Sequence, residues 1–157
     1  MKIATFSNII TPPVGTCVAG YGLKDVSVMK QDDLTLQGIC IDDGGKKALI
    51  ISYDLIGMDI EVVKVIRKRC AELIGGSEAD VLLSCTHTHG GPHTRYHEGL
   101  KGRDEESTRR VIERTVEAVA AIRDEDFIEG AWSYYTAHCK ATCATATQGE
   151  EAFSPAT

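Results

Sequence analysis

The sequence contains no apolar stretch long enough to span a bilayer and no run of lysine or arginine longer than the three residues Arg67, Lys68 and Arg69. The first absence excludes an integral membrane segment. The second, with a formal charge of -6, argues against nucleic acid or an anionic membrane as the main partner. The amino terminus "MKIATFSNII" carries one lysine but no continuous apolar block ahead of a small-residue cleavage site. It does not read as a secretory signal, and a cytoplasmic protein is expected. No internal repeat is visible. A disulfide framework is missing too: Cys17, Cys40, Cys70, Cys85, Cys139 and Cys143 are scattered, several of them inside apolar patterns. Reduced and mostly buried thiols are expected.

What is present fits one soluble α/β domain. At 157 residues, 43% hydrophobic and 25% charged, the chain can build one core and not two. "MKIATFS" alternates weakly, as a first strand would. In "NIITPPVGTCVAGYGLKDVS" paired prolines and several glycines forbid a long helix and favour an irregular, close-packed loop. "LTLQGICID" puts Leu34, Leu36, Gly38 and Cys40 on one face, "DDGG" marks a turn, and "KKALIISYD" follows as a second strand. The three predict a β-hairpin over 33–54.

Next, Val63, Ile66, Cys70 and Leu73 recur at helical spacing, with Asp59 as N-cap and Gly75 as C-terminal stop. "ADVLLSCTH" reads as a buried strand. Strand, helix and strand from Ala48 to Cys85 form a βαβ unit, whose strands run parallel. A second helix spans about Glu105 to Ile122, with Ile112, Val116 and Val119 inward and acidic residues in its first turn. "DFIEGAWSYYTAH" offers a further strand. The expected fold is a mixed sheet containing the hairpin and the βαβ unit, with helices packed on it, over residues 1–135. Residues 136–157, rich in Thr and Ala and without periodicity, read as a tail outside the core.

Three of the five histidines lie in "VLLSCTHTHGGPH", at the end of the second strand of that unit. Open α/β sheets bind ligands beyond the carboxyl ends of their parallel strands, which brings Asp54 and His87 towards one another. In an extended strand residues i and i+2 face the same side, so His87 and His89 can share a site. Neutral imidazoles suit Zn²⁺, and a catalytic zinc lowers the pKa of its bound water to about 7. His93 is a candidate additional ligand, while His97, Arg95 and Glu98 share its polar loop. His138, beside Cys139, is a remote candidate. Asp54 could cap the following helix, ligate the metal, or accept the free N–H of a ligating histidine. "AGYG" at 19–22 permits close backbone approach.

"ITPPVG", "AGYG", "DDLTLQGICIDDG", "LIISYDLIGM" and "LLSCTHTHGGP", in that order, resemble the amino-terminal catalytic domain of the neutral/alkaline (non-lysosomal) ceramidases. The resemblance covers about residues 3–123. It implies a zinc-dependent hydrolase of an N-acyl amide, ceramide giving sphingosine and a fatty acid. Carried over, His87 binds zinc and His89 assists catalysis near the scissile carbonyl. Two departures stand out. Gly90 occupies the place after the second histidine where the family commonly has Ser. The family's other zinc ligands, a later His, a Glu and a Tyr, have no counterpart in this sequence, so the chain reads as an incomplete catalytic domain.

Other histidine motifs fit less well. The metallo-β-lactamase pattern His-x-His-x-Asp-His fails, since Gly91 stands at the aspartate and His93 comes one place late. A barrel of eight strand–helix units needs a longer chain. The expected function is therefore metal-dependent hydrolysis of a small-molecule or lipid-like amide. The alternative is a catalytically incomplete, non-enzymatic module that binds metal or self-associates through an exposed sheet edge.

Overall fold

A computed structural model describes residues 1–21, 25–100 and 102–129. Five strands, β1 (Lys2–Ile9), β2 (Thr35–Asp42), β3 (Lys47–Tyr53), β4 (Val81–Cys85) and β5 (Ile128–Glu129), form one sheet in the order β4-β3-β2-β1-β5. β1, β2 and β3 pair antiparallel, and β5 joins β1 antiparallel with Ile3 opposite Ile128. β3 and β4 are parallel, from Leu49 opposite Val81 to Tyr53 opposite Cys85. Helices α1 (Ile60–Ile74) and α2 (Glu105–Ala120) complete an α/β fold with a mixed sheet.

The hairpin forms where "DDGG" places it. Asp43 accepts hydrogen bonds from the Gly45 and Lys46 amides at 2.9 and 2.8 Å, and Gly44 turns the chain at φ 93°. Those amides hold the Asp43 carboxyl below the usual carboxylate range. Gly38 is needed for packing: it lies opposite Phe6, and a side chain there would collide with the phenyl ring.

Alternation sends Ala4, Leu36, Cys40, Leu49, Ile51 and Tyr53 to the helical side, where they meet Val62, Ile66 and Cys70 of α1 and Val111 and Val119 of α2. Each large aliphatic buried this way contributes roughly 1.5–3 kcal/mol. Both helices are turned slightly from the expected faces. In α1 the buried side chains are Val62, Ile66, Cys70 and Ala71, while Leu73 is 47% exposed. In α2 they include Val111, Thr115, Ala118 and Val119. Thr115 donates to the Val111 carbonyl at 2.7 Å, which leaves its oxygen to accept from the Tyr53 hydroxyl at 3.2 Å. A polar residue thus sits fully satisfied in the seam.

Asp104 caps α2, accepting from the Ser107 amide at 2.9 Å. Asp59 stands at the N-cap of α1 but makes no capping hydrogen bond. Cys17, Cys40, Cys70 and Cys85 are thiols rather than disulfides, and burial pushes the Cys70 thiol up to about 11. Among the described residues no helix is long and apolar enough to cross a membrane. The expected 136–157 tail, His138, and the part beyond Glu129 of the strand expected over 126–138 lie outside the described residues.

Candidate functional site

β3 and β4 end side by side, and the chain after each stays tied to the other. The Thr86 amide donates to the Tyr53 carbonyl at 2.9 Å and the His87 amide to the Leu55 carbonyl at 3.0 Å. The strand geometry then stops. His87 adopts φ 63°, the single left-handed non-glycine residue among those described. The expectation that His87 and His89 share a face because the strand stays extended is therefore corrected: β4 ends at Cys85, and a turn brings the two together. Their ring centroids lie 5.4 Å apart. A left-handed L-residue costs on the order of 1–2 kcal/mol, and such strain collects at functional sites.

Glycines let the surrounding chain close on this turn. Gly20, at φ 91°, approaches so near that any side chain would overlap the His89 ring, and Tyr21 meets that ring edge-on at 6.0 Å. The Ala19 amide donates to the Gly91 carbonyl at 2.8 Å, fastening the "AGYG" loop to the histidine segment. Gly90 sits at φ 148°, a conformation L side chains rarely adopt, so serine would be strained here.

The segment that follows is pinned at several points. Thr94 Oγ1 donates to the Gly57 carbonyl at 2.8 Å, and the Asp104 amide to the His93 carbonyl at 2.7 Å. Asp59 is the clamp: its carboxylate accepts from the Tyr96 amide at 2.9 and 3.0 Å and pairs with Arg103 at 3.3 Å. Sequence reading gave Asp59 to the helix and did not place it or Tyr96 at the site. The partner that redirects the carboxylate, Arg103, lies 44 residues away.

A cavity of about 410 Å³ opens here, walled by Tyr21, His87, His93, Arg95, Tyr96 and His97. No carboxylate lines it among the described residues. His93 is 7% exposed, and its Nε2 is buried without a hydrogen-bond partner. The His97 ring packs edge-on against it, centroids 6.0 Å apart, while His97 Nδ1 accepts from the Gly99 amide at 3.2 Å. Arg95 makes no hydrogen bond or ion pair among the described residues. Glu98 is exposed and does not line the cavity. Asp54 is committed elsewhere: one oxygen accepts from the Thr35 amide and hydroxyl at 2.9 and 2.8 Å, the other from the Thr86 hydroxyl at 3.4 Å. Burial raises the Cys85 thiol above its ordinary value, so it stays protonated and is a poor nucleophile.

Two imidazoles sharing one tetrahedral zinc have ring centroids about 5 Å apart, given nitrogen–metal bonds of about 2 Å. The His87–His89 separation of 5.4 Å is compatible with that. Among the described residues no group of three or more His, Cys, Asp or Glu side chains is arranged to hold a metal ion. They supply a pair, not a complete ligand set.

The fold has counterparts in solved ceramidase structures. The chain superposes on neutral ceramidase from Pseudomonas aeruginosa with a TM-score of 0.66 and 18% identity, over 75% of this chain and 20% of that one. A ceramidase complexed with C2 gives a TM-score of 0.64 and 20% identity, over 74% and 20%. The fold is thus ceramidase-like, and the chain spans about a fifth of the length of these structures. No protein-family model and no curated protein sequence matches the chain.

Proposed function

We propose that the chain carries the histidine part of a zinc-dependent hydrolase that cleaves a linear N-acyl amide. The observation that supports this reading above others is the His87–His89 pair, 5.4 Å between rings, on a left-handed turn beyond the parallel strands. The ceramidase-like fold agrees with it. His87 would hold the ion, with His93 as a candidate additional ligand; Asp54, bonded to Thr35 and Thr86, would support only the segment that leads into His87. When bound, zinc supplies Lewis acidity towards the amide carbonyl and makes water a better nucleophile. His89 then serves as general base and acid. The water oxygen joins the carbonyl carbon, the C–N bond breaks, and the nitrogen leaves as an amine with a proton from His89; a fatty acid is the other product. Release of fatty acid from a panel of N-acyl amines by zinc-loaded protein tests the reading. We expect turnover that His89→Ala lowers at least 100-fold. Zinc-loaded protein that cleaves no member of the panel contradicts it.

A second reading, a self-associating module without turnover, has its own observation. β4 is an edge strand, and its Leu82 is 60% exposed beside Ile50 at 40%, on the face away from the helices. Sedimentation across a concentration series tests it, and a monomer at every concentration removes it.

A further inference from the structure

The cavity beside the histidine pair differs from the rest of this acidic protein in the sign of its charge. Arg95 is its formal cation, and among the described residues that guanidinium has no partner. It is exposed; among the described residues Arg69 and Arg110 also lack a carboxylate partner, whereas Arg103, Arg109, Arg114 and Arg123 each meet one. The wall adds three imidazoles and no acidic side chain, and the buried Nε2 of His93 lacks a partner. A ligand group that satisfies the Arg95 guanidinium must accept hydrogen bonds, and a negative charge strengthens them. At about 410 Å³ the space is that of a small-molecule site. His87 belongs both to this wall and to the imidazole pair, so a molecule in the cavity reaches the reacting centre.

We propose that the cavity takes an anionic group, a carboxylate or phosphate, of the substrate whose amide is cleaved at His89. The inference rests on the amide-hydrolase reading and deepens it: the substrate is an N-acyl amine that bears a negative charge on its amine portion. Arg95 is the specificity-determining contact. Asp59 acts at one remove, holding the Tyr96 amide and so the loop that presents Arg95.

The test is equilibrium binding by calorimetry to the whole chain in the presence of chelator, which needs no turnover. N-hexanoylglycine, N-hexanoylethanolamine and N-hexanoyl-phosphoethanolamine share an acyl chain and differ in charge. The anionic probes are expected to bind at least about tenfold tighter than the neutral one. Arg95→Gln should bring that ratio below threefold, while Arg109→Gln, a surface ion-pair arginine, leaves it unchanged. The stronger of the two anionic probes identifies carboxylate or phosphate as the group. Anion-shifted ring C–H signals of His93 in the NMR spectrum would locate the molecule. Equal affinity for charged and neutral probes, no binding of any anionic probe, or an unchanged ratio in Arg95→Gln overturns the proposal. Preferential anion binding by a protein that hydrolyses nothing sinks the amide-hydrolase reading instead and leaves an anion site.

Discussion

A cavity lies at each end of the β3–β4 strand pair, about 460 Å³ by the hairpin turn and about 410 Å³ by the histidines. Size does not separate them; the use of polar groups does. At the hairpin end Lys46 pairs with Asp80, and Asp80 also accepts from the Ser77 amide and hydroxyl at 2.8 and 2.7 Å. Asp42 accepts from the Gly44 amide at 2.8 Å. Charges there satisfy one another and close the turn into β4. At the histidine end Arg95 and His93 Nε2 have no partners among the described residues, and His87 is held in a strained conformation. Paired groups stabilise a fold, whereas groups left unpaired next to backbone strain mark a site that awaits a ligand. The contrast supports the histidine end as the candidate site.

Four substitutions probe that contrast, in falling order of effect. Gly20→Ala should destabilise the chain by about 2 kcal/mol or more, because it meets both a positive φ and the His89 ring. Chemical denaturation measures this, and an unchanged midpoint would mean the loop does not press on His89. Asp59→Ala should cost about 1.5–3 kcal/mol through lost charged hydrogen bonds, with faster hydrogen exchange at the Tyr96 amide. Protection unaltered at Tyr96 would free the loop from this clamp.

The Asp80 effect is smaller and depends on pH. Lys46 and Ser77 hold its carboxyl down to about 2, against an ordinary 3.8. The folded state thus binds fewer protons, and the stabilisation is full above about pH 4 and lost as pH falls towards 2. Asp80→Asn should lower the melting temperature at pH 7 and flatten its decline between pH 4 and 2. A parallel decline in both proteins would contradict this. Smallest is Arg95→Ala, expected to shift stability by no more than about 0.5 kcal/mol, since the side chain holds nothing in place. A clear loss would show that Arg95 is structural.

Much of this was legible in the sequence, with errors of one kind. Alternation with "DDGG" located the hairpin, and helical spacing located α1 and α2. Ile66, Cys70 and Val119 were read correctly as inward, but Val62 rather than Val63 is buried in α1, and Val111 and Thr115 rather than Ile112 and Val116 in α2, a shift that crowded valines such as Val62, Val63 and Val65 conceal. Thr115 escaped notice because a pattern of apolar residues cannot register a threonine whose hydroxyl is satisfied by Tyr53 and Val111. At the site, His87 and His89 were paired correctly on incorrect geometry: period two was assumed where the backbone turns left-handed. Asp59 looked like a cap because its local position is that of a cap, and only the chain's return at Tyr96 and Arg103 gives the carboxylate its work. Local spacing reports local structure; such long-range partners leave no trace in it.

The most direct measurement is a zinc titration of metal-free protein by calorimetry, run alongside His87→Ala and His89→Ala. We expect one ion per chain, with affinity falling at least tenfold in either variant. Zinc bound equally well by all three proteins, or by none, would show that the imidazole pair is not a metal site.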